Sequence, residues 1–218
     1  MKNIKNVIVI ICLFSSSISI AQDKETDNRE VNTFGLKVGL NHSNVYNSRT
    51  HEFTADPKFG FAGGMVLSFP INKYFGVQPE VLLSQKGFKG EGMLFGSKYN
   101  FTRTTTYIDV PLQIVFKPSE FLTILTGPQY AYLIEQRDVF TSSYINTIHE
   151  QEFNNENIRN NIFGYVIGVD VNIKRFILGT RLGWDISHNH GGGSTNTPRY
   201  KNRWFQVTIG YILFKYEP

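Results

Sequence analysis

Between Tyr107 and Leu133 the chain alternates apolar and polar residues strictly enough to leave little choice of fold. Ile108, Val110, Leu112, Ile114 and Phe116 fall on one side of a period-two strand, and Tyr107, Asp109, Pro111 and Gln113 fall on the other. Successive side chains of a strand point to opposite faces, so one face is apolar and the other polar. Residues 117–120, Lys-Pro-Ser-Glu, have turn chemistry. Alternation then resumes with Leu122, Ile124, Pro128, Tyr130 and Tyr132 opposite Gly127, Gln129 and Ala131. A helix does not keep this period, and the stretch reads as a hairpin.

The same pattern recurs along the chain. Phe34, Leu36, Val38 and Leu40 oppose Gly35, Lys37, Gly39 and Asn41, and Phe75, Val77, Pro79, Val81 and Leu83 oppose Gly76, Gln78, Glu80 and Ser84. Further strands centre on Phe61 and Met65, on Tyr165 and Ile167, on Leu182 and Trp184, and on Val207 and Ile209. The sum is about eight strands joined by alternately long and short connections, with both termini on the short side. Residues 46–57, 87–100, 135–160 and 188–202 read as long loops, and 70–73, 117–120 and 172–175 as short turns. That asymmetry predicts an all-β, eight-stranded antiparallel transmembrane β-barrel with short periplasmic turns and long extracellular loops. A soluble β-sandwich has no such regular difference in loop length. A lipocalin-like barrel needs an apolar interior, whereas here the face rich in glycine and charge is the polar one.

The chain opens with Met1-Lys-Asn-Ile-Lys5, continues apolar from Val7 to Phe14, and reaches small residues at Ser19 and Ala21. This is the layout of a secretory signal peptide over residues 1–21, cleaved after Ala21. Its apolar centre is too short to span a bilayer. The single cysteine, Cys12, leaves with it, so the exported protein is predicted to have no disulfide and no cysteine metal site. Residues 22–33 read as a flexible leader and 34–216 as the outer-membrane barrel domain. The formal net charge of +4 falls when Lys2 and Lys5 are removed. No Lys/Arg cluster dense enough to track phosphates appears, so nucleic acid is not an expected partner. Outer-membrane lipid is.

Four segments, residues 75–87, 107–112, 126–129 and the closing 201–211 (Lys-Asn-Arg-Trp-Phe-Gln-Val-Thr-Ile-Gly-Tyr), resemble the PorT-like outer-membrane β-barrel family of Gram-negative bacteria. The resemblance covers nearly the whole chain after the signal peptide. It implies a small, porin-like barrel in the cell outer membrane, with an envelope or secretion protein as the class of partner. It implies no catalytic residue set.

Seven charged residues are predicted to face the lumen: Lys37, Glu80, Lys86, Asp109, Asp170, Arg181 and Asp185. An eight-stranded barrel has an interior only wide enough for side chains to fill, so these are expected to form a salt-bridged plug rather than an ion path. Three prolines, Pro79, Pro111 and Pro128, lie in successive strands, where proline cannot donate to the ladder. A turn at residues 117–120 sets Asp109 opposite Pro128 and Pro111 opposite Thr126. A bulge or ladder gap is predicted there, with Glu80 and Asp109 satisfied by Arg181, Lys37 or water.

His42, His51, His188 and His190 gather near the predicted extracellular ends. Period-two geometry sends His42 and His188 outward while Ser43 and Ser187 point inward, which argues against a nucleophile and base pair. Residues 191–195, Gly-Gly-Gly-Ser-Thr, lack the lysine and following helix of a phosphate loop. Phe59, Phe61, Phe69, Phe75, Tyr130, Tyr132, Trp184 and Tyr211 read as lipid-facing or interface aromatics. The expectation is a barrel of structural or protein-interaction type, accessory to secretion or envelope assembly, with no catalytic, cofactor-binding or metal site and no conducting pore. A rim enzyme acting on lipid or peptide and a narrow channel or importer are the rival readings.

Overall fold

The computed structural model describes residues 29–46, 55–94, 97–142, 146–151, 158–190 and 200–216. The signal peptide, most of the leader, His51 and residues 191–195 lie outside the described residues. Nine strands occupy most of the rest: β1 (Asn32–Tyr46), β2 (Ala55–Pro70), β3 (Phe75–Leu94), β4 (Ser97–Phe116), β5 (Leu122–Ser142), β6 (Asn146–Gln151), β7 (Asn161–Ile173), β8 (Phe176–Asp185) and β9 (Lys201–Tyr216). All except β6 pair antiparallel into a closed ring of eight, in which β1 joins β9 and β4 joins β5. Closure leaves no ladder edge facing hydrocarbon, where an unpaired backbone group costs several kcal/mol.

The alternation read from the sequence becomes an inside-out protein. Leu36, Val38, Leu40, Leu112, Ile114, Leu182, Phe205 and Ile209 are exposed on the outer wall. Lys37, Asn41, Glu80, Asp109, Gln113, Arg181 and Gln206 are buried within the ring. The eight aromatics expected on the outer face are all exposed there. Apolar side chains facing outward suit a hydrocarbon solvent, and the polar core follows from the same period.

Short turns join the strands at one end. In the β2–β3 turn, Asn72 Oδ1 accepts from the backbone N–H groups of Tyr74 and Phe75 at 2.8 and 2.9 Å. The side chain thereby stands in for a backbone turn acceptor. Lys174 and Arg175 alone join β7 to β8, and Lys174 adopts φ 57°. Asn32 pairs with Tyr216, so both ends of the described barrel lie on this short-turn side.

Several strands run further than the hydrophobic pattern shows. β1 begins at Asn32, two positions before Phe34, because Asn32 and Thr33 pair with Tyr216 and Lys215. Residues 87–100, read as a loop, are largely ladder: β3 and β4 stay paired up to Leu94 and Ser97. Residues 135–160, read as irregular, begin with the continuation of β5 to Ser142 and include β6, which pairs with it. The physical reason is common to all three. Beyond the membrane neither face needs to be apolar, so the period-two signal fades while backbone hydrogen bonding continues.

The prolines interrupt the ladder without shifting it. Pairing of β2 with β3 stops at Val66 with Glu80 and resumes at Phe69 with Val77. Pairing of β3 with β4 stops at Pro79 with Leu112 and resumes at Leu82 with Asp109; pairing of β4 with β5 stops at Pro111 with Gln129 and resumes at Ile114 with Thr126. The register is the same on both sides of each gap, so no bulge is present there. The expected partners need correcting: Asp109 lies opposite Ala131, and Pro111 opposite Gln129. The turn is longer than residues 117–120, since Phe116 pairs with Ile124 while Leu122 and Thr123 pair with β7 instead. The Lys117 N–H donates to Tyr74 O of the neighbouring turn at 2.7 Å, which carries the end of β4 away from β5.

Candidate functional site

The lumen holds the chemistry of this chain, and it is built in levels along the barrel axis. Nearest the short turns, Lys117 Nζ donates to Ser68 Oγ at 3.3 Å. Above it, four strands contribute one charged cluster. Lys37 Nζ from β1 lies 2.6 Å from Glu80 Oε2 of β3. Arg181 from β8 donates to Glu80 Oε1 at 3.3 Å and grips Asp170 of β7 with two bonds of 2.5 and 3.0 Å. Gln78 Nε2 adds a 3.0 Å bond to Glu80. Register explains how two long side chains fit: Arg181 pairs with Gly168, and Asp170 pairs with Gly179. A Cβ on Gly179 would sit 2.6 Å from Asp170 Oδ1 and 2.7 Å from Thr208 Oγ1.

The next level is neutral. Asn41 Nδ2 donates to Ser84 Oγ and to Gln85 O, each at 2.9 Å, and Gln206 Nε2 donates to Asn41 Oδ1 at 2.9 Å. Higher still, Lys86 Nζ lies 2.9 Å from Asp109 Oδ2 and 3.8 Å from the centre of the Trp204 ring, with Tyr107 also beneath it. A cation so placed has both a counter-ion and a π-face in exchange for its lost water. Asp185 accepts from the backbone N–H and the Nδ2 of Asn202 at 3.0 and 2.6 Å.

The seven predicted lumen charges are therefore all buried, and six of them pair with one another. Their partners differ in detail from the expectation. Asp109 is held by Lys86 rather than by Arg181 or Lys37, and Asp185 by an amide rather than a cation. Near the ladder gaps, Gln113 Oε1 and Gln129 Nε2 are buried without a hydrogen-bond partner among the described residues.

A further buried ion pair escaped the sequence reading. Arg103 of β4 donates to Asp138 of β5 through Nε and Nη2 at 2.8 and 2.6 Å, and its Nη1 reaches the Tyr200 hydroxyl at 3.3 Å. Asp138 falls in the segment 135–160 read as loop, and Arg103 lies between the 87–100 loop and the strand read from Tyr107. The signal was present in period two: Arg103, Thr105, Tyr107 and Asp109 continue one inward face. Around this pair Val45, Phe88 and Tyr200 pack with Ala55 and Phe101, and Tyr107, Ala131, Leu133 and Ile162 form a second apolar cluster. The end of the lumen remote from the termini is thus filled by aromatic and aliphatic side chains.

The histidines and serines do not converge. His42 is exposed and its ring lies 4.8 Å from that of Phe59, while the Ser43 hydroxyl is buried and donates to Gly87 O at 2.9 Å. Ser187 and His188 are half-buried and His190 is buried. Among the described residues, no group of three or more His, Cys, Asp or Glu side chains is placed to hold a metal ion.

Residues 20–191 match the family model described as outer membrane protein beta-barrel domain. Among solved structures, the chain is similar to the attachment invasion locus protein Ail of Yersinia pestis, with 13% identity over 84% of this chain and 99% of that one, at a TM-score of 0.43. It is similar to Neisserial surface protein A, with 10% identity over 82% and 96% of the two chains and a TM-score of 0.47. It is also similar to OprG of Pseudomonas aeruginosa, with 11% identity over 90% and 100% and a TM-score of 0.41. No curated protein matches it.

Proposed function

Since the chain belongs to the outer membrane protein β-barrel domain family, and its place is the outer membrane, we propose that it is a non-conducting barrel of structural or protein-interaction type. The observation that carries this is the filled lumen. Lys37, Glu80, Arg181 and Asp170 cross the barrel as one bonded cluster, Lys86 and Asp109 close the level above, and apolar side chains fill the far end. An ion entering this interior has to break buried pairs to pass.

On this reading the work is done by the surface: the hairpins of β3 with β4 and β5 with β6, and the short-turn end. The PorT-like segments support an accessory role in secretion or envelope assembly, with an envelope protein as partner and export through a signal peptide ending at Ala21. The inward serine at position 43 and outward histidine at 42 support a barrel without catalytic role. Planar-bilayer recording tests the reading. Purified barrel inserted at neutral pH is expected to give no stable conductance, and reproducible single-channel steps would overturn it in favour of a channel or importer.

A further inference from the structure

On the outer wall β1, β9 and β8 lie side by side, and their register sets outward residues in rows. One row is Asn44, Arg203 and Trp184, and the next row toward the termini is His42, Phe205 and Leu182. An open groove of about 580 Å³ runs over both rows. Tyr46 reaches past the end of β9 and donates its hydroxyl to Asp185 O at 2.6 Å, which roofs the groove on its outer side.

Below the groove β1 and β9 present an apolar wall: Leu40, Val38, Val207 and Ile209 are exposed and contiguous in register. Arg203 is the first charged outward residue above that run on β9. It is exposed, no hydrogen bond or ion pair engages it among the described residues, and no carboxylate side chain lines the groove. A guanidinium at the upper margin of an apolar wall, beside an imidazole and under a tyrosine roof, has the form of an anion site with a hydrocarbon track attached. Arginine grips phosphate oxygens through two parallel bonds, and the low dielectric of a membrane margin strengthens them.

We propose that this groove binds a lipid with a net anionic phosphate headgroup in the outward-facing leaflet, the phosphate on Arg203 and His42 and the acyl chains along Leu40, Val207 and Ile209. The site rests on the outer-membrane placement. Its rows set the height at which a headgroup stands. Further toward the termini, Leu36, Val38, Val207 and Ile209 offer bulk lipid apolar contact alone.

The chain's two tryptophans make the test direct. Trp184 lies 38% exposed in the groove, whereas Trp204 is turned inward under Lys86 and is 4% exposed. The refolded full barrel is placed in vesicles of brominated phosphatidylglycerol or brominated phosphatidylcholine, and quenching of tryptophan emission gives the relative affinity of the two lipids. The expected preference for phosphatidylglycerol is about tenfold, because both lipids offer Arg203 a phosphate but the choline cation of phosphatidylcholine offsets its charge. Arg203→Gln should bring it to parity, and Lys73→Gln in the distant β2–β3 turn should leave it intact. Equal quenching by the two lipids in the unaltered protein overturns the site, as does a preference that survives Arg203→Gln. Loss of the preference in excess inorganic phosphate would make it a free-anion site and overturn the lipid assignment. Absence of quenching by either lipid would overturn the membrane placement along with it.

Discussion

Glu80 is the residue on which the lumen cluster turns, and replacing it with glutamine removes one charge with almost no change of shape. Its carboxylate touches Lys37 at 2.6 Å and Arg181 at 3.3 Å, and the Lys37 and Glu80 side chains are 5% and 1% exposed. Arg181 keeps its two bonds to Asp170 after the change, whereas Lys37 loses the carboxylate it touches and remains inside the wall. Leaving one buried charge uncompensated costs about 3–5 kcal/mol. The lower end applies here because Asp170 stays nearby and the new amide oxygen still accepts a bond from Lys37. A loss of about 3 kcal/mol is a factor of roughly 150 in the folding constant. With a urea slope of about 1–3 kcal/mol per molar, the midpoint moves down by about 1–3 M. The assay is reversible urea unfolding in vesicles, with folded fraction read from gel migration without heating. The second variant is decisive: Lys37→Met with Glu80→Gln leaves the Arg181 and Asp170 pair neutral and whole, and should recover most of the loss. A single-variant loss below about 1 kcal/mol, or a double variant equal to the sum of the singles, would refute the account of Lys37 as a buried cation held by Glu80.

Two further outcomes follow from backbone and packing. Lys174 sits at φ 57° in the two-residue connection of β7 to β8, a conformation that costs a side-chain-bearing residue about 1–2 kcal/mol, so Lys174→Gly should raise the urea midpoint. Gly183 pairs with Trp204, and a Cβ placed on it would run into the indole ring. Gly183→Ala should therefore cost about 1–3 kcal/mol and shift the tryptophan emission spectrum, since the ring has to leave its place against Lys86.

The sequence speaks clearly where the membrane imposes a rule. Leu36 to Leu40, Ile108 to Phe116 and Phe205 to Leu213 show the period because one face meets hydrocarbon and the other a polar lumen, and the inward charges could be named from it. The partners could not. That Asp109 meets Lys86 depends on the stagger of β3 against β4, and Asn202 reaches Asp185 only because of how β8 and β9 end. The error at Pro111 lay in the turn: the observed partner Gln129 is three residues beyond the expected Thr126, an odd shift that changes the face, and alternation requires inward Pro111 to meet inward Gln129, a register set by the longer turn with its bond to the neighbouring turn at Tyr74. Arg103 and Asp138 were missed because polar residues on both faces hide a strand that its backbone still makes.

β6 changes what the barrel offers to other chains. A sheet closed on itself has no edge along its wall, so a second polypeptide cannot extend it there strand by strand. β6 pairs with β5 along Asn146 to Gln151, and among the described residues its other row of N–H and C=O groups has no partner strand, on the far side of the membrane from the chain ends. An added strand would find a template there, and recognition of that kind depends on backbone geometry more than on the identity of the residues that line it.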